Sequence, residues 1–196
     1  MKYMGYSVAL LIVLDTETGG LDSREHSLLS VGMWTLDTVA KTIYNPLYFL
    51  VKEPNIITTP EAMKVNGLDL DVIDSQGLAP IDALKRICDY CWELCKVPRP
   101  VGHNVSFDMG FLQRLVRLTP EHRLKLPFNY RTIDVPSILY TMYLTGILPR
   151  DISSSQRALE YFGMERGTIH NALHDAECTG KVYLEVLKLI TPIDSN

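Results

Sequence analysis

The apolar positions near the start of the chain follow patterns typical of a β-sheet. Residues 8–14 form a continuous apolar run, as expected for a central strand covered on both faces. Residues 28–36 and 41–51 have the composition of two further strands, joined by a short turn at Asp37 and Thr38. We therefore predict a hairpin beside a buried central strand.

Helical periodicity and short apolar segments predict the remaining elements. Thr59 followed by Pro60 marks the start of a short helix. The other predicted elements are helices over residues 81–95, 105–118 and 172–190, and short strands over 100–103 and 129–133. Three strands followed by alternating helices and strands predict an α/β fold with a mixed sheet.

Two more helices are predicted from the residues that begin them. Asp134 is expected to cap a helix that has Pro136 in its first turn. Ser153 and Gln156 have the spacing of a capping box, and this helix is expected to end at Gly163.

Length and charge restrict the class of protein. The 196 residues suit a single domain over residues 1–196, and the net charge of −4 excludes a strongly basic nucleic-acid coat. Any binding to nucleic acid would need metal ions or local basic residues to neutralise phosphates. No apolar run approaches the ~18 residues of a membrane span. We therefore expect a cytoplasmic protein that does not associate with a membrane.

The first candidate chemical group lies at the end of the central strand. Asp15 and Glu17 are two residues apart, so their carboxylates project from the same side of an extended chain. Open α/β sheets place their sites at the carboxyl ends of strands. Taken alone, such a pair is in most proteins only a solvated turn.

Two helices add carboxylates near their apolar faces. Asp108 precedes Phe111 and Leu112 by three and four residues, which places it on or beside an apolar stripe. Asp175 borders the inward face that contains Ala172 and Thr179 in the last helix. An aspartate within an apolar stripe must be paired or must hold a metal ion.

Together the three segments predict a metal site. Burying several carboxylates without a counter-charge costs several kcal/mol for each charge, which disfavours a purely structural interpretation. An all-carboxylate set favours the hard cations Mg²⁺ or Mn²⁺ over zinc.

The histidines around the last motif are expected to differ. His174 is adjacent to Asp175, about 100° away around the helix axis, so we expect it to face solvent. His170 precedes the helix, in a loop that can reach over the carboxylates.

Three segments together resemble the motifs of the DEDDh, or DnaQ-like, 3′→5′ exonuclease family. They are residues 15–21 (DTETGGL), 102–108 (GHNVSFD) and 170–176 (HNALHDA). The position of His170, five residues before Asp175, matches the DEDDh branch, since the sister branch has a tyrosine nearer the aspartate. The resemblance covers residues 10–187 and implies a ribonuclease-H-like fold, a mixed β-sheet flanked by helices.

The resemblance also implies a mechanism. It assigns Asp15, Glu17, Asp108 and Asp175 to two Mg²⁺ or Mn²⁺ ions about 3.5–4 Å apart, with Asp15 bridging them. One ion would activate the attacking water and the other would stabilise the leaving 3′ oxygen, while His170 would accept the proton of the water as general base. The implied substrate is a nucleic acid with a free 3′ end, in single-stranded form, and the implied product is a 5′-mononucleotide.

The same resemblance implies a set of substrate contacts. The residues assigned to them are Thr18, Gly20, Leu21, Glu61, Asn66, Asn104 and Phe111. Glu61 equally fits a helix-dipole role, and Asn104 fits either a helix cap or a phosphate contact. Phe111 is assigned to base stacking, whereas core packing suits Phe107 better.

Two other functions remain compatible with the sequence. One is a metal-dependent phosphodiesterase that acts on nucleotides or short oligonucleotides, which the acidic pI near 5.7 favours. The other is a non-catalytic nucleic-acid-binding module on the same fold, against which the intact carboxylates and His170 argue. The sequence does not distinguish DNA from RNA.

Overall fold

The computed structural model describes residues 10–94, 98–165 and 171–190. These residues form a sheet flanked by helices, with one 3-10 turn at Pro120–His122. The strands are β1 (Leu10–Thr18), β2 (Leu28–Asp37), β3 (Thr42–Leu50), β4 (Arg99–Gly102) and β5 (Ile133–Asp134). The helices are α1 (Pro60–Asn66), α2 (Leu70–Gln76), α3 (Pro80–Leu94), α4 (Val105–Leu118), α5 (Val135–Leu144), α6 (Ser155–Tyr161) and α7 (Ala172–Ile190).

The sheet is mixed, as the sequence predicts. Its strand order is β3-β2-β1-β4-β5, so β1 lies at the centre. The β1, β2 and β3 strands are antiparallel, whereas β4 runs parallel to both β1 and β5. The register of β1 on β2 shifts between Glu17 and Thr18, where a bulge disturbs the ladder at the end of the central strand.

Each face of β1 contributes to a different hydrophobic core. Ile12 and Leu14 point toward α3 and α4, where they pack with residues such as Leu112. Leu11 and Val13 point to the opposite face and pack against α5, α6 and α7. The apolar run at the centre of β1 is therefore explained by burial on both faces.

Several predicted boundaries are confirmed, and others need correction. Helices α4 and α7 have the predicted ends, and Thr59 caps α1 by accepting a hydrogen bond from the Ala62 N–H. Residues 8 and 9 of the predicted first strand lie outside the described residues, and β1 continues to Thr18 rather than ending at Leu14. Asp15 and Glu17 therefore lie within the central strand.

Two further predictions differ from the structure, and one helix was not predicted. The strand predicted over residues 129–133 is only Ile133–Asp134, because β4 is short and offers pairing for just these two residues. Ser154, rather than Ser153, caps α6 by accepting from the Arg157 N–H. Helix α2 was not predicted, since its seven residues are too few for a helical repeat to stand out.

None of the helices in the described part of the chain combines the length and apolar character needed to cross a bilayer.

Candidate active site

Three carboxylates converge at the end of the central strand. Oxygens of Asp15, Glu17 and Asp175 all lie within 4.8 Å of one another. Asp15 and Glu17 share one face of β1 because they are two residues apart, and α7 packs across that face with Asp175 in its first turn. Glu17 is buried, while the other two carboxylates are partly exposed. The cluster combines three of the four predicted metal ligands.

A glycine in β2 allows α7 to approach this closely. A Cβ atom on Gly32 would lie 2.2 Å from the carbonyl carbon of Ala172, in the first turn of the helix. Nearby, the Trp34 Nε1–H donates a hydrogen bond of 2.9 Å to the Leu173 carbonyl. The Asn171 side-chain oxygen accepts from the N–H groups of the next turn. These contacts fix the start of α7, and thereby the position of Asp175.

Asp108 lies outside the three-carboxylate cluster. Its Oδ1 accepts a hydrogen bond of 2.8 Å from the Thr16 hydroxyl, and its side chain is buried. Thr16 points away from the face that Asp15 and Glu17 share, because neighbouring residues of a strand alternate. Burial, with a smaller contribution from the nearby charge of Asp134, raises the pKa of Asp108 to about 7, although the hydrogen bond from Thr16 acts to lower it. The structure thus shows Asp108 paired with a hydroxyl.

The donor set fits a hard divalent cation. Three carboxylates within 4.8 Å repel one another when ionised, and a cation bound among them would offset that repulsion. The ligand atoms are all oxygens, which Mg²⁺ and Mn²⁺ prefer. The cluster therefore supports dependence on a divalent metal ion.

A cavity of about 180 Å³ opens beside the carboxylates. Its lining adds residues that the sequence analysis did not assign, namely His103, Ser155 and Thr179. His103 directly follows β4, the parallel neighbour of β1, so its position at the carboxyl end of a strand was the available signal.

The structure describes only one of the two histidines of the last motif. His170, the predicted general base, lies outside the described residues. His174 has 38% of its side chain exposed, with its Nδ1 3.9 Å from a Glu177 carboxylate oxygen. Its Nε2 lies 3.5 Å from the Cys178 sulfur on the next turn. His174 is therefore only partly exposed, and it contacts residues of its own helix.

A larger cavity of about 480 Å³ adjoins the cluster and shares Glu17 with it. The structure brings most of the predicted substrate residues into its wall: Thr18, Gly20, Leu21, Glu61 and Asn66. The Leu21 side chain is 86% exposed at the rim. The arrangement forms one hollow at the end of β1, next to the carboxylates.

His26 also forms part of this wall, although no motif indicates it. A Cβ on Gly20 would lie 2.4 Å from the His26 ring, so only a glycine admits the ring at this distance. His26 and Leu21 also line a neighbouring cavity of about 420 Å³ with Phe107 and Ser106. The turn after β1 therefore separates two adjoining cavities, of about 480 and 420 Å³.

Two of the predicted contact residues, Thr18 and Asn66, make hydrogen bonds to other groups of the protein. The Thr18 hydroxyl donates to the Gly20 carbonyl at 2.8 Å. The Asn66 side-chain N–H donates to the Thr18 carbonyl, and its Oδ1 accepts from the Leu68 N–H. Because Asn66 is 2% exposed, it shapes the wall by holding Thr18 in place.

The helix-capping role predicted for Asn104 is wrong. Asn104 precedes α4 in a left-handed conformation with φ of 66°, and its side chain makes no capping hydrogen bond. The Asp134 carboxylate instead accepts from the Asn104 and Val105 N–H groups, while its other oxygen accepts from Ser137. Asp134 thus caps α5, as predicted, and also the start of α4.

The structure also corrects the prediction for Phe111. Its side chain is 1% exposed in the core between the sheet and α4, so it presents almost no surface to a base, although it contributes to the lining of the cavity of about 420 Å³. Phe107 is the partly exposed member of the pair, and the two ring centroids lie 5.0 Å apart. Phe111 shares the apolar stripe with Leu115 one turn later, which explains its burial.

Comparison with known proteins identifies a family. The RNase_T family model, described as an exonuclease, matches residues 12–183, a segment that contains all three motifs. The chain is 25% identical over 177 residues to DNA polymerase III subunit epsilon of Rickettsia conorii, which covers 90% of this chain and 73% of that protein.

Solved structures agree in fold. The nuclease domain of 3′hExo, a DEDDh family member bound to rAMP, has a TM-score of 0.74 and 19% identity, with 92% of each chain covered. E. coli Exonuclease I in complex with a dT13 oligonucleotide has a TM-score of 0.73 and 15% identity, covering 91% of this chain and 41% of that one. The mixed sheet and flanking helices match the ribonuclease-H-like fold of these neighbours.

Proposed function

Because the chain belongs to the RNase_T exonuclease family, we propose that it is a DEDDh nuclease that shortens nucleic acid from the 3′ end and releases 5′-mononucleotides. The observation that carries this proposal is the convergence of Asp15, Glu17 and Asp175 within 4.8 Å. Glu17 also lines the adjoining cavity of about 480 Å³, so a group bound there lies directly beside the carboxylates.

In our proposal the three clustered carboxylates would hold two divalent metal ions. Such ions activate a water and stabilise the charge that develops on the scissile phosphate. Asp108, buried against Thr16, is proposed as the fourth ligand by its place in the motif. His170 is proposed as the general base on the same ground.

The larger cavity is the proposed site of the 3′-terminal nucleotide. Its volume of about 480 Å³ lies within the range of small-ligand sites. Glu61, at the start of α1, offers a carboxylate in the wall that can accept hydrogen bonds from sugar hydroxyls. Nucleotide and oligonucleotide ligands in the related structures support a nucleic-acid substrate.

Digestion of a single strand labelled at its 5′ end tests direction and substrate together. DNA and RNA of the same sequence are incubated with Mg²⁺ or Mn²⁺, and products are separated by length. We expect stepwise shortening from the 3′ end, with no products in EDTA. A strand with a 3′-phosphate serves as the control, since the site expects a free 3′-hydroxyl. Cleavage of closed circular strands would contradict the exonuclease proposal.

A second candidate is a phosphodiesterase for short oligonucleotides. A net charge of −4 leaves little electrostatic attraction for a long polyanion, and this favours short substrates. Comparing kcat/KM for dinucleotides and long strands separates the two functions, because only the exonuclease proposal expects the long strand to be degraded at least as well.

A further inference from the structure

We propose that the buried Arg114–Glu53 ion pair is a positioning device for the turn that divides the two cavities, here called the divider loop (residues 19–27). This inference rests on the proposed function, since it concerns how a strand is held at the 3′-end site. Neither residue belongs to the motifs or lines the cavities described above.

The divider loop supplies the walls that the two cavities share. Leu21 and His26 line both the cavity of about 480 Å³ and the cavity of about 420 Å³. Most of the loop is on the surface, with Leu21 86% exposed. An exposed loop has few apolar contacts to hold it, so its conformation must depend on specific hydrogen bonds.

The two ends of the loop are fixed to the sheet and to the segment before α1. The Gly19 N–H donates to the Ser27 carbonyl at 2.8 Å, and the Thr59 N–H donates to the Gly19 carbonyl. At the far end the Glu53 carboxylate accepts from the Ser27 hydroxyl and from the Leu28 N–H. These contacts leave the middle of the loop to be held by another group.

Two arginines of α4 hold the middle. At the surface Arg117 Nη2 donates to the Ser23 carbonyl at 2.8 Å, and the buried contact is made by Arg114. Its guanidinium donates to both oxygens of Glu53, with three N–O distances of 2.8–3.0 Å. The remaining nitrogen, Nη1, donates to the carbonyls of Ser23 and Arg24 at 3.3 and 3.0 Å. A planar guanidinium can bind a carboxylate and two carbonyls at once, which the single ammonium of lysine cannot reproduce.

The burial of the pair makes these contacts strong and directional. The side chains of Glu53 and Arg114 are 0% and 10% exposed, so water competes little for their hydrogen bonds. Arg114 belongs to α4, the helix that also contains Asp108. The pair therefore links the divider loop to a helix of the core, and neither of its residues belongs to the three-carboxylate cluster on β1 and α7.

This geometry predicts a specific defect when the pair is weakened. A loosened loop must be ordered each time a strand binds, and that ordering cost weakens binding. The carboxylate cluster is not touched, so the rate of bond cleavage in the bound complex is preserved. Arg114→Lys should therefore raise KM for a long single strand by roughly tenfold and change kcat little. This effect is smaller than the roughly 10²-fold that a 1 Å misplacement of reacting groups can cost.

A proteolysis measurement reports the loop without reference to activity. The Arg24 carbonyl, which accepts from Arg114, belongs to the bond that trypsin cleaves after Arg24. Arg24 is exposed, so cleavage there depends on how often the loop leaves this hydrogen bond. Mass spectrometry of partial digests should show much faster cleavage after Arg24 in Arg114→Lys than in the unsubstituted protein.

Loss of a buried charge partner also lowers stability, so two further variants separate the effects. The double variant Arg114→Met with Glu53→Gln removes both charges while keeping an acceptor for Ser27 and Leu28, and it should regain stability. Tyr90→Phe is the matched control, because it removes buried hydrogen bonds to Thr35 and Asn45 at a site away from the loop.

The proposal expects the double variant to keep the raised KM and the rapid cleavage after Arg24 even as its Tm recovers. Tyr90→Phe should lower Tm without raising KM and without faster cleavage after Arg24. The proposal is overturned if KM and cleavage return to normal together with Tm, or if Arg114→Lys loses Tm alone. If Arg114→Lys does not fold, the double variant decides. If the unsubstituted protein degrades no strand, the proposed function fails, but cleavage after Arg24 still decides whether Arg114 holds the loop.

Discussion

The four carboxylates of the motifs lie in two different settings. Asp15, Glu17 and Asp175 face one another, whereas Asp108 is buried beside the Thr16 hydroxyl. The alternation of side chains along β1 explains the division, because Thr16 points to the face opposite its two acidic neighbours. The sequence predicts that Asp108 needs a partner. It does not identify the partner, since Thr16 and Asp108 are far apart in the chain and meet only through the packing of α4 on β1.

Two further features of the site, the position of His26 and the burial of Phe111, depend on tertiary packing. His26 enters the cavity wall because Gly20 has no side chain, and this requires knowledge of the fold of the turn. Phe107 and Phe111 are four residues apart on one helix, so both lie near the apolar stripe. Only the packing of α4 on the sheet shows that Phe111 is the buried one.

A pair of substitutions distinguishes the two histidines of the last motif. Removing a general base typically lowers the rate by about 10²–10⁴-fold. We therefore expect His170→Ala to lose activity on this scale while it still binds Mn²⁺. His174→Ala should change kcat little, because its ring contacts Glu177 and Cys178 on its own helix. Single-turnover rates on a labelled strand measure the activity of both variants. Loss of activity in His174→Ala together with full activity in His170→Ala would contradict the assignment.

At the scale of elements, long periodic segments were predictable and short ones were not. Helices α4 and α7 span several turns, so their apolar stripes and flanking residues determine both ends. Helix α6 begins within three consecutive serines, and only the structure shows that Ser154 is the cap. Residues 129–132 have a strand-like composition but stay outside the sheet: the Asn129 N–H donates to the Pro98 carbonyl, and the pairing of β4 with β5 begins at Ile133.

The contact of β2 with the start of α7 gives a prediction for Gly32. In Gly32→Ala the added Cβ would lie 2.2 Å from backbone atoms of Ala172, which cannot move without displacing the helix. We expect a loss of stability of about 1–3 kcal/mol or more, as for overpacked cores. Nuclease activity should fall with it, because Asp175 lies in the displaced turn. Denaturant unfolding and activity assays measure the two effects.

Gly180→Ala is the matched control in the same interface. There the added Cβ meets methyl groups of Ile43 and Val13 at 3.2 Å, and these side chains can adjust. An alanine inside a helix also gains about 1 kcal/mol of helix propensity over glycine. Stability and activity should therefore remain near those of the unsubstituted protein. Equal damage in both variants would show that the approach of α7 at Gly32 has no special role.

For the whole molecule, the mixed sheet explains how distant motifs form one site. The motifs lie in β1, in the segment from β4 into α4, and at the start of α7, and the sheet places β1 and β4 side by side. The family match over residues 12–183 confirms the resemblance drawn from these motifs. The order of elements was therefore predictable, whereas the distances within the site depend on packing that a pattern does not contain.

Metal binding should be visible in the stability of the whole molecule. A cation that binds only the folded state stabilises it by about 2.7 kcal/mol at a hundred times its Kd, or about 5–10 °C in Tm for a chain of this size. Adding Mg²⁺ or Mn²⁺ after EDTA treatment should therefore raise Tm in differential scanning calorimetry. Asp82→Asn should respond equally, since Asp82 is an exposed carboxylate on α3, outside the cluster.

Asp15→Asn should change Tm in opposite directions in EDTA and in the presence of the metal ion. In EDTA its Tm should be higher than that of the unsubstituted protein, because losing one of three charges within 4.8 Å relieves repulsion. The gain should be at least about 1 kcal/mol, the energy of two charges about 4 Å apart in bulk water. With metal present the order of Tm should reverse, and nuclease activity should be largely lost. A Tm that responds to metal equally in Asp15→Asn would show that the ions bind elsewhere, and the site proposed here would then be wrong.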